Sequence, residues 1–233
     1  MSKVIEYKKE FLDLIKDLTD INNKIRLQKE GDKIVVRRAD EEVTIAYMLD
    51  APINYFNIED ELGFYNYTDF YGYLKALQDP KIKLDNNKLI LDTGSEKVDY
   101  ILTNPDSTGK SPQDAEFTNV DFEFKLSATE LDVIRNMIGQ IRARRAKITT
   151  IDNNKVSIRI YNSLHDNSLV KTFDIKNLSD FSENVEFTIF SDIFLQIPAK
   201  RDYVINVINR GFMKVSLQHE AINLNIFTGR VKS

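Results

Sequence analysis

Apolar residues along this chain follow two rhythms, and the two succeed one another four times. Stretches with apolar side chains at helical spacing run directly into paired stretches in which apolar and polar residues alternate, the period of a strand. The first helical stretch is Tyr7–Asp20, followed by a hairpin over Lys24–Arg37 that folds at Glu30-Gly31-Asp32-Lys33. The second is Thr68–Gln78, followed by Ile82–Leu91 folding at Asp85-Asn86-Asn87-Lys88. The third is Ala128–Arg144, followed by Ile148–Ile160 folding at Asp152-Asn153-Asn154-Lys155. The fourth is Ser191–Ile197, followed by Tyr203–Leu217 folding at Asn209-Arg210-Gly211. Gly, Asn and Asp tolerate a positive φ, so a chain reverses at these points at little steric cost. Repetition of one helix–hairpin unit points to a structural module copied along the chain.

A further strand follows each hairpin, at Val43–Met48, Val98–Leu102, Leu169–Ile175 and Ala221–Phe227. A strand also precedes the helix, clearly at Leu62–Asn66, Val120–Leu126 and Val185–Phe190, and weakly at Val4–Ile5. The predicted module is therefore β-α-β-β-β. Within the third hairpin Ile148, Val156, Ile158 and Ile160 interleave with Thr, Ser and Arg. That alternation describes an antiparallel sheet with one dry face, and the helices are expected to cover it.

The modules pair into halves. Ser127-Ala-Thr-Glu130 reads as a capping box that opens the helix of the second half. Phe190-Ser-Asp192 repeats the strand-to-helix passage of Tyr67-Thr-Asp69. Between the halves, Asn104–Asp114 is polar and holds two prolines and a glycine, the composition of a linker. The expected division is a first domain at 1–105, a linker at 106–119 and a second domain at 120–233, each domain of ordinary size.

Composition narrows the class of protein. The chain has no cysteine, which excludes a disulfide frame and thiolate metal ligands. No apolar run reaches the roughly 20 residues of a membrane span, and no signal peptide is visible, so a cytoplasmic protein is expected. A formal net charge of −4 argues against coating nucleic acid by bulk charge.

Local charge differs from the total. From Val133 to Ile151 there is no acidic residue, while Arg135, Arg142, Arg144, Arg145 and Lys147 fall in that stretch. On a helical wheel Leu131, Ile134, Met137, Ile138 and Ile141 form the apolar stripe, with Arg135 and Arg142 together along one edge. Asn136, Gly139 and Ala143 make up the opposite side. Lys9 and Lys16 lie off the apolar stripe of the first helix, Lys75 lies off that of the second, and Lys200 and Arg201 follow the fourth. A solvated helix with cations favouring the negative end of its dipole accounts for part of this pattern.

Several stretches also resemble the sliding clamps of T-even-like tailed bacteriophages. They are Ile21-Asn-Asn-Lys-Ile25, the hairpin to Val35-Val-Arg-Arg38, Phe64-Tyr-Asn-Tyr-Thr-Asp-Phe70, Leu74-Lys-Ala-Leu77, Leu126-Ser-Ala-Thr-Glu-Leu131 and Lys147–Ile160. The resemblance covers most of the chain through an ordered succession of elements, and the last sixty or so residues match by pattern only. It implies an α+β DNA-clamp fold: two similar domains, each of two β-α-β-β-β units, with antiparallel sheets outside and helices lining a ring. It further implies a homotrimer that encircles duplex DNA without reading its sequence and tethers a phage DNA polymerase. An ATP-dependent clamp loader would open the ring, in the cytoplasm of an infected host. Lys9, Lys16, Lys75, Arg135, Arg142, Arg144, Arg145, Lys147, Lys200 and Arg201 would then face DNA. In clamps a partner peptide enters an apolar pocket beside the interdomain linker, which makes Phe117 and Phe227 the candidate anchors here.

Other chemistry finds less support. His165 and His219 have no Ser, Cys or metal-ligand pattern near them, so no catalytic centre and no cofactor are expected. Thr108-Gly-Lys110 lacks the upstream glycine of a phosphate-binding loop. The aromatic run Phe64, Tyr65, Tyr67, Phe70, Tyr71 and Tyr73 fits core packing at a strand–helix junction better than base stacking. The competing reading is a β-rich trimeric tail or baseplate protein of a phage; a third is a single-strand DNA-binding protein.

Overall fold

The computed structural model describes residues 3–42, 44–109, 112, 119–162, 165–178, 185–208 and 211–231, apart from the side chains of 165 and 166. Two compact units emerge. The first comprises Met1–Glu41, Tyr47–Pro112 and Ala221–Asn223; the second comprises Glu42–Ala46, Gln113–Glu220 and Leu224–Ser233.

The first unit runs β1 (Lys3–Ile5), α1 (Lys9–Asp17), β2 (Ile25–Glu30), β3 (Lys33–Ala39), β4 (Ile45–Pro52, in this unit from Tyr47 on), β5 (Leu62–Phe64), α2 (Tyr67–Ala76), β6 (Lys81–Asp85), β7 (Lys88–Asp92) and β8 (Lys97–Ile101). A 3-10 turn at Pro105–Thr108 follows β8. Its strands order as β1-β6-β7-β8 and β5-β2-β3-β4. The leading strand of each module therefore pairs with the hairpin of its sister: Lys3 faces Leu84 across β1/β6, and Ile25 faces Phe64 across β2/β5. Thr103 N–H donates to the Gly63 carbonyl at 2.9 Å, joining the chain after β8 to β5. Lys8 N–H donates to the Tyr55 carbonyl at 2.9 Å, joining the chain after β1 to the turn after β4. The two sheets are stitched together at both ends.

The second unit runs β9 (Phe122–Leu126), α3 (Ala128–Ile141), β10 (Arg145–Asp152), β11 (Lys155–Asn162), β12 (His165–Asn177), β13 (Glu186–Phe190), α4 (Ile193–Gln196), β14 (Tyr203–Ile208), β15 (Phe212–Leu217) and β16 (Asn223–Gly229). Its order, β13-β10-β11-β12-β9-β14-β15-β16, repeats the same exchange: β13 joins β10, and β9 joins β14. Val231 N–H donates to the Thr188 carbonyl at 2.8 Å, the counterpart of the Thr103–Gly63 bond.

Burial follows the alternation of the sequence. Ala146, Ile148, Val156, Ile158 and Ile160 of β10 and β11 are buried with Leu131, Ile134 and Ile138 of α3. In the first unit Phe11, Leu12, Leu14 and Ile15 of α1 and Tyr67, Phe70 and Leu74 of α2 are buried. Each such side chain contributes about 1.5–3 kcal/mol by leaving water, so packing rather than helix propensity holds these short helices. The capping box is present: Glu130 N–H donates to the Ser127 hydroxyl at 3.3 Å, and Ser127 N–H donates to the Glu130 carboxylate at 2.9 Å.

Several elements differ in extent from the sequence expectation. The first helix spans Lys9–Asp17 rather than Tyr7–Asp20, because Tyr7 is extended in a bridge to Phe56. The third helix stops at Ile141 rather than Arg144, because Arg142 turns left-handed at φ 49°. The fourth shrinks from Ser191–Ile197 to Ile193–Gln196, with Ile197 already extended and Pro198 next. Strand β12 is far longer than Leu169–Ile175, since it pairs with β11 along its length and with β9 through Ile175–Asn177. Of the fourth hairpin turn, Asn209 and Arg210 lie outside the described residues; Gly211 has φ 89°.

Candidate nucleic-acid interface

The candidate cations do not form one helical face. Arg135 is the only one of the five in Arg135–Lys147 that lies on α3, and its Nη2 donates to the Leu195 carbonyl of α4 at 2.5 Å. It ties two helices together. Arg142 caps α3 in the left-handed region, so the expectation that it shares a helix face with Arg135 does not hold. Ala143, assigned by the wheel to the outer side, is buried. The exposed residues of α3 are Thr129, Asp132, Val133, Asn136, Gly139 and Gln140, which include one acid and no cation.

Arg142, Arg144 and Arg145 instead gather where α3 hands over to β10. With Ala143, Phe190 and Asp192 they line an open cleft of about 700 Å³. The Arg145 guanidinium lies over the Phe190 ring, 4.7 Å from its centroid, which holds it in place while leaving it charged. The Asn162 side-chain amide donates to the Ile141 and Arg142 carbonyls at 3.4 and 3.1 Å, fixing the turn. Arg142 and Arg144 are exposed. Three guanidiniums on one fixed turn suit an anion such as a phosphate, which guanidinium binds through paired N–H groups.

The remaining cations are more dispersed. Lys147, next but one along β10, pairs with Glu186 at 2.7 Å and is thereby neutralised. In the first unit Lys9 opens α1, exposed, with its Nζ 3.4 Å from the Asp79 carboxylate. Lys16 lies in the last turn of α1 and donates to the Thr19 hydroxyl at 3.2 Å. Lys75 is exposed in the last turn of α2, where a cation suits the helix dipole. Glu10, Asp13 and Asp17 share α1 with the lysines. Asp13 accepts from the Tyr71 hydroxyl at 2.6 Å; burial and that bond push the Tyr71 phenol up to about 12, so it stays a donor. Lys200, at φ 61°, and Arg201 sit in the connection before β14.

The candidate partner-binding residues are placed only in part. Phe227 is half-buried on β16, opposite Lys214 of β15. Phe117 lies outside the described residues. A second concavity, of about 770 Å³, was not anticipated. It runs along the outer edge of β13 and is lined by Arg145, Tyr161, Glu186, Phe187, Thr188, Arg230 and Val231. Its elements are the sheet edge bridged by the Val231–Thr188 bond, two arginines, and the Tyr161 and Phe187 rings. The signal available in sequence was the Arg230–Val231 pair after the last strand.

The aromatic run divides by depth. Phe64, Tyr67 and Phe70 are buried and touch one another, with centroids 5.0–5.6 Å apart, while Tyr65 and Tyr73 are exposed. Among the described residues no group of three or more His, Cys, Asp or Glu could hold a metal ion. No helix among them is long and apolar enough to cross a membrane.

Paired units, each built from two modules that exchange their leading strands, are also found in solved structures. The PCNA of A. fulgidus, solved with the C-terminal region of FEN-1 bound, superposes with a TM-score of 0.75 at 14% identity, covering 100% of both chains. Proliferating Cellular Nuclear Antigen from Entamoeba histolytica superposes with a TM-score of 0.77 at 15% identity, again over 100% of both chains. The chain has the PCNA clamp fold. No family model matches the chain, and no curated protein sequence matches it. The clamp fold is thus shared over the full length at 14–15% sequence identity.

Proposed function

We propose that this chain is a DNA sliding clamp. Three copies close head to tail into a ring around duplex DNA and hold a replicative polymerase on its template. The observation that carries this reading is the likeness of fold over the whole length of both PCNA chains. The resemblance of Ile21–Ile25, Phe64–Phe70 and Leu126–Leu131 to T-even-like phage clamps supports a phage polymerase and an ATP-driven loader as partners.

Two free strand edges support the ring. Beyond β7, strand β8 has no partner among the described residues, and Ile101 on it is 68% exposed. Strand β12 pairs with β9 only through Ile175–Asn177, which leaves its earlier part open on that side, with Val170 57% exposed. Unpaired edges invite another chain. Joining β8 of one copy to β12 of the next makes a heterologous contact whose rotation closes after three copies. The helices then face the hole, and contacts fall on phosphates without regard to sequence.

Of the proposed DNA-facing set, the cleft of Arg142, Arg144 and Arg145 is best suited to take a phosphate. Lys9, Lys16, Lys75, Lys200 and Arg201 add diffuse charge, while Arg135 and Lys147 serve mainly their protein partners. Client proteins dock through a short peptide. The groove at β13, with Arg230, Tyr161 and Phe187, is the seat we assign to it; Phe227 on β16 is not among its lining residues, and Phe117 lies outside the described residues. The test is primed-template synthesis by the cognate polymerase. Long products are expected only when clamp, loader and ATP are all present; equal products without the loader contradict the reading.

A further inference from the structure

The turn Pro105–Thr108, which leads into residues 110–119, is held against the first unit at three points. At its start only glycine fits: a Cβ on Gly63 would lie 2.6 Å from the Thr103 carbonyl oxygen and 3.0 Å from Pro105 N and Cα. At its middle Asp106 pairs with Arg26 at 3.3 Å, and Arg26 also pairs with Glu61. At its end the Arg38 guanidinium, on β3, donates from Nη2 to the Thr108 hydroxyl and from Nη1 to the Gly109 carbonyl at 3.3 Å. The Thr108 hydroxyl passes the bond on to the Pro105 carbonyl at 2.6 Å.

Arg38 is an expensive residue in this position. It is 1% exposed, and no carboxylate among the described residues pairs with it. Its Nε and the buried Tyr47 hydroxyl both lack a partner among those residues. Burial lowers the guanidinium pKa and raises that of the Tyr47 phenol. A charge taken from water without a counter-ion is among the costliest groups to bury.

The equivalent strand of the second unit shows that the sheet does not need the cation. Strands β3 (Lys33-Ile-Val-Val-Arg-Arg-Ala39) and β11 (Lys155-Val-Ser-Ile-Arg-Ile-Tyr161) both begin directly after a two-residue turn, with Glu30 facing Lys33 and Asp152 facing Lys155. The sixth residue is Arg38 in one and Ile160 in the other, and both are buried. An aliphatic side chain fills the same place in the same fold. Among the described residues, the side-chain hydrogen bonds of Arg38 all go to the turn and to Gly109 after it.

We infer that Arg38 is a latch: a positioning residue that locks the Pro105–Thr108 turn and Gly109 against the first unit. Its charge serves the turn and not the sheet. The inference does not depend on the DNA reading and is tested without DNA. Arg38→Ile installs the residue type found at the equivalent position of β11, Ile160. Amide exchange at Asp106 and Ser107, which donate to the Asn104 side chain and carbonyl at 3.0 and 2.9 Å, is expected to accelerate at least about tenfold. Exchange in β10 and β11 should be unchanged and the melting temperature no lower than that of the parent. Thr108→Val removes the hydroxyl from the other side and is expected to loosen the same amides. If Arg38→Ile folds and these amides exchange as before, the latch is wrong. If Arg38→Ile fails to fold and Thr108→Val leaves exchange unchanged, the cation serves the core and the latch is again wrong. Loosening by Thr108→Val supports it even where Arg38→Ile does not fold.

Discussion

Ile101→Asp is the substitution that separates folding from assembly. Ile101 sits on the free edge strand β8 and is 68% exposed, so the isolated unit loses little when it changes. In the proposed ring its side chain is covered by the next copy. Full burial of an isoleucine is worth about 1.5–3 kcal/mol, and roughly two thirds of that remains to be gained at the interface, about 1–2 kcal/mol. A closed trimer holds three such contacts, which brings the loss to about 3–6 kcal/mol per ring before the added cost of desolvating a carboxylate. That corresponds to a shift of about two to four decades in the trimer equilibrium, at 1.4 kcal/mol per decade. Sedimentation velocity over nanomolar to tens of micromolar concentrations reads this directly, with circular dichroism and thermal melting as the folding control. Expected are a folded monomer for the variant and a trimer for the parent. A variant that trimerises at the same concentration as the parent refutes the edge-pairing argument.

Gly63→Ala is expected to destabilise the first unit by about 1–3 kcal/mol, the usual cost of overpacking, because the new methyl meets backbone atoms of Thr103 and Pro105; denaturant unfolding checks it. Arg142→Glu combined with Arg144→Glu should slow loading on DNA and leave stability and trimerisation unchanged, since both residues are exposed. Arg135→Glu should also weaken the α3–α4 contact by about 0.5–1.5 kcal/mol through its lost bond to the Leu195 carbonyl, so the two variants differ in melting temperature. Burial would raise the Glu130 pKa, but Ser127 and Lys171 outweigh it and hold it below the ordinary value. The stability this adds is present above the unfolded-state pKa and is lost as pH falls through the depressed folded value; Glu130→Gln should therefore flatten the acid limb of a melting-temperature profile.

The local grammar of the fold was legible in the sequence, and its long-range pairing was not. Gly31 and Asn86 marked their hairpin turns because they accept the left-handed backbone found there, φ 62° and 53°, whereas the Asn153-Asn154 turn closes without a positive φ. Ser127 and Glu130 marked a helix start because both side chains are needed to cap it. The exchange of leading strands left no trace in periodicity, since β1 alternates alike whichever hairpin it joins. At the candidate site, the five cations of Arg135–Lys147 were visible but their arrangement was not. A helical wheel presumes the helix continues, and a left-handed arginine at 142 carries no signature comparable to glycine. Arg38 was hidden for a similar reason: Val35-Val-Arg-Arg38 looks like a strand running out into solvent, and only the turn folded over it makes the cation buried.

Encirclement is the central claim, and retention on DNA of defined topology tests it most directly. The protein is loaded onto nicked circular DNA and challenged with high salt, and its dissociation is followed before and after the circle is linearised. A protein held by Z phosphate contacts loses affinity with a slope of about −0.9Z in log salt, whatever the shape of the DNA. A closed ring leaves only by opening or by reaching an end. The account predicts slow loss from the circle at high salt and rapid loss once the circle is cut. Equal rates from circular and linear DNA would contradict it, leaving Arg142, Arg144 and Arg145 as an ordinary surface cluster on a clamp fold put to another use.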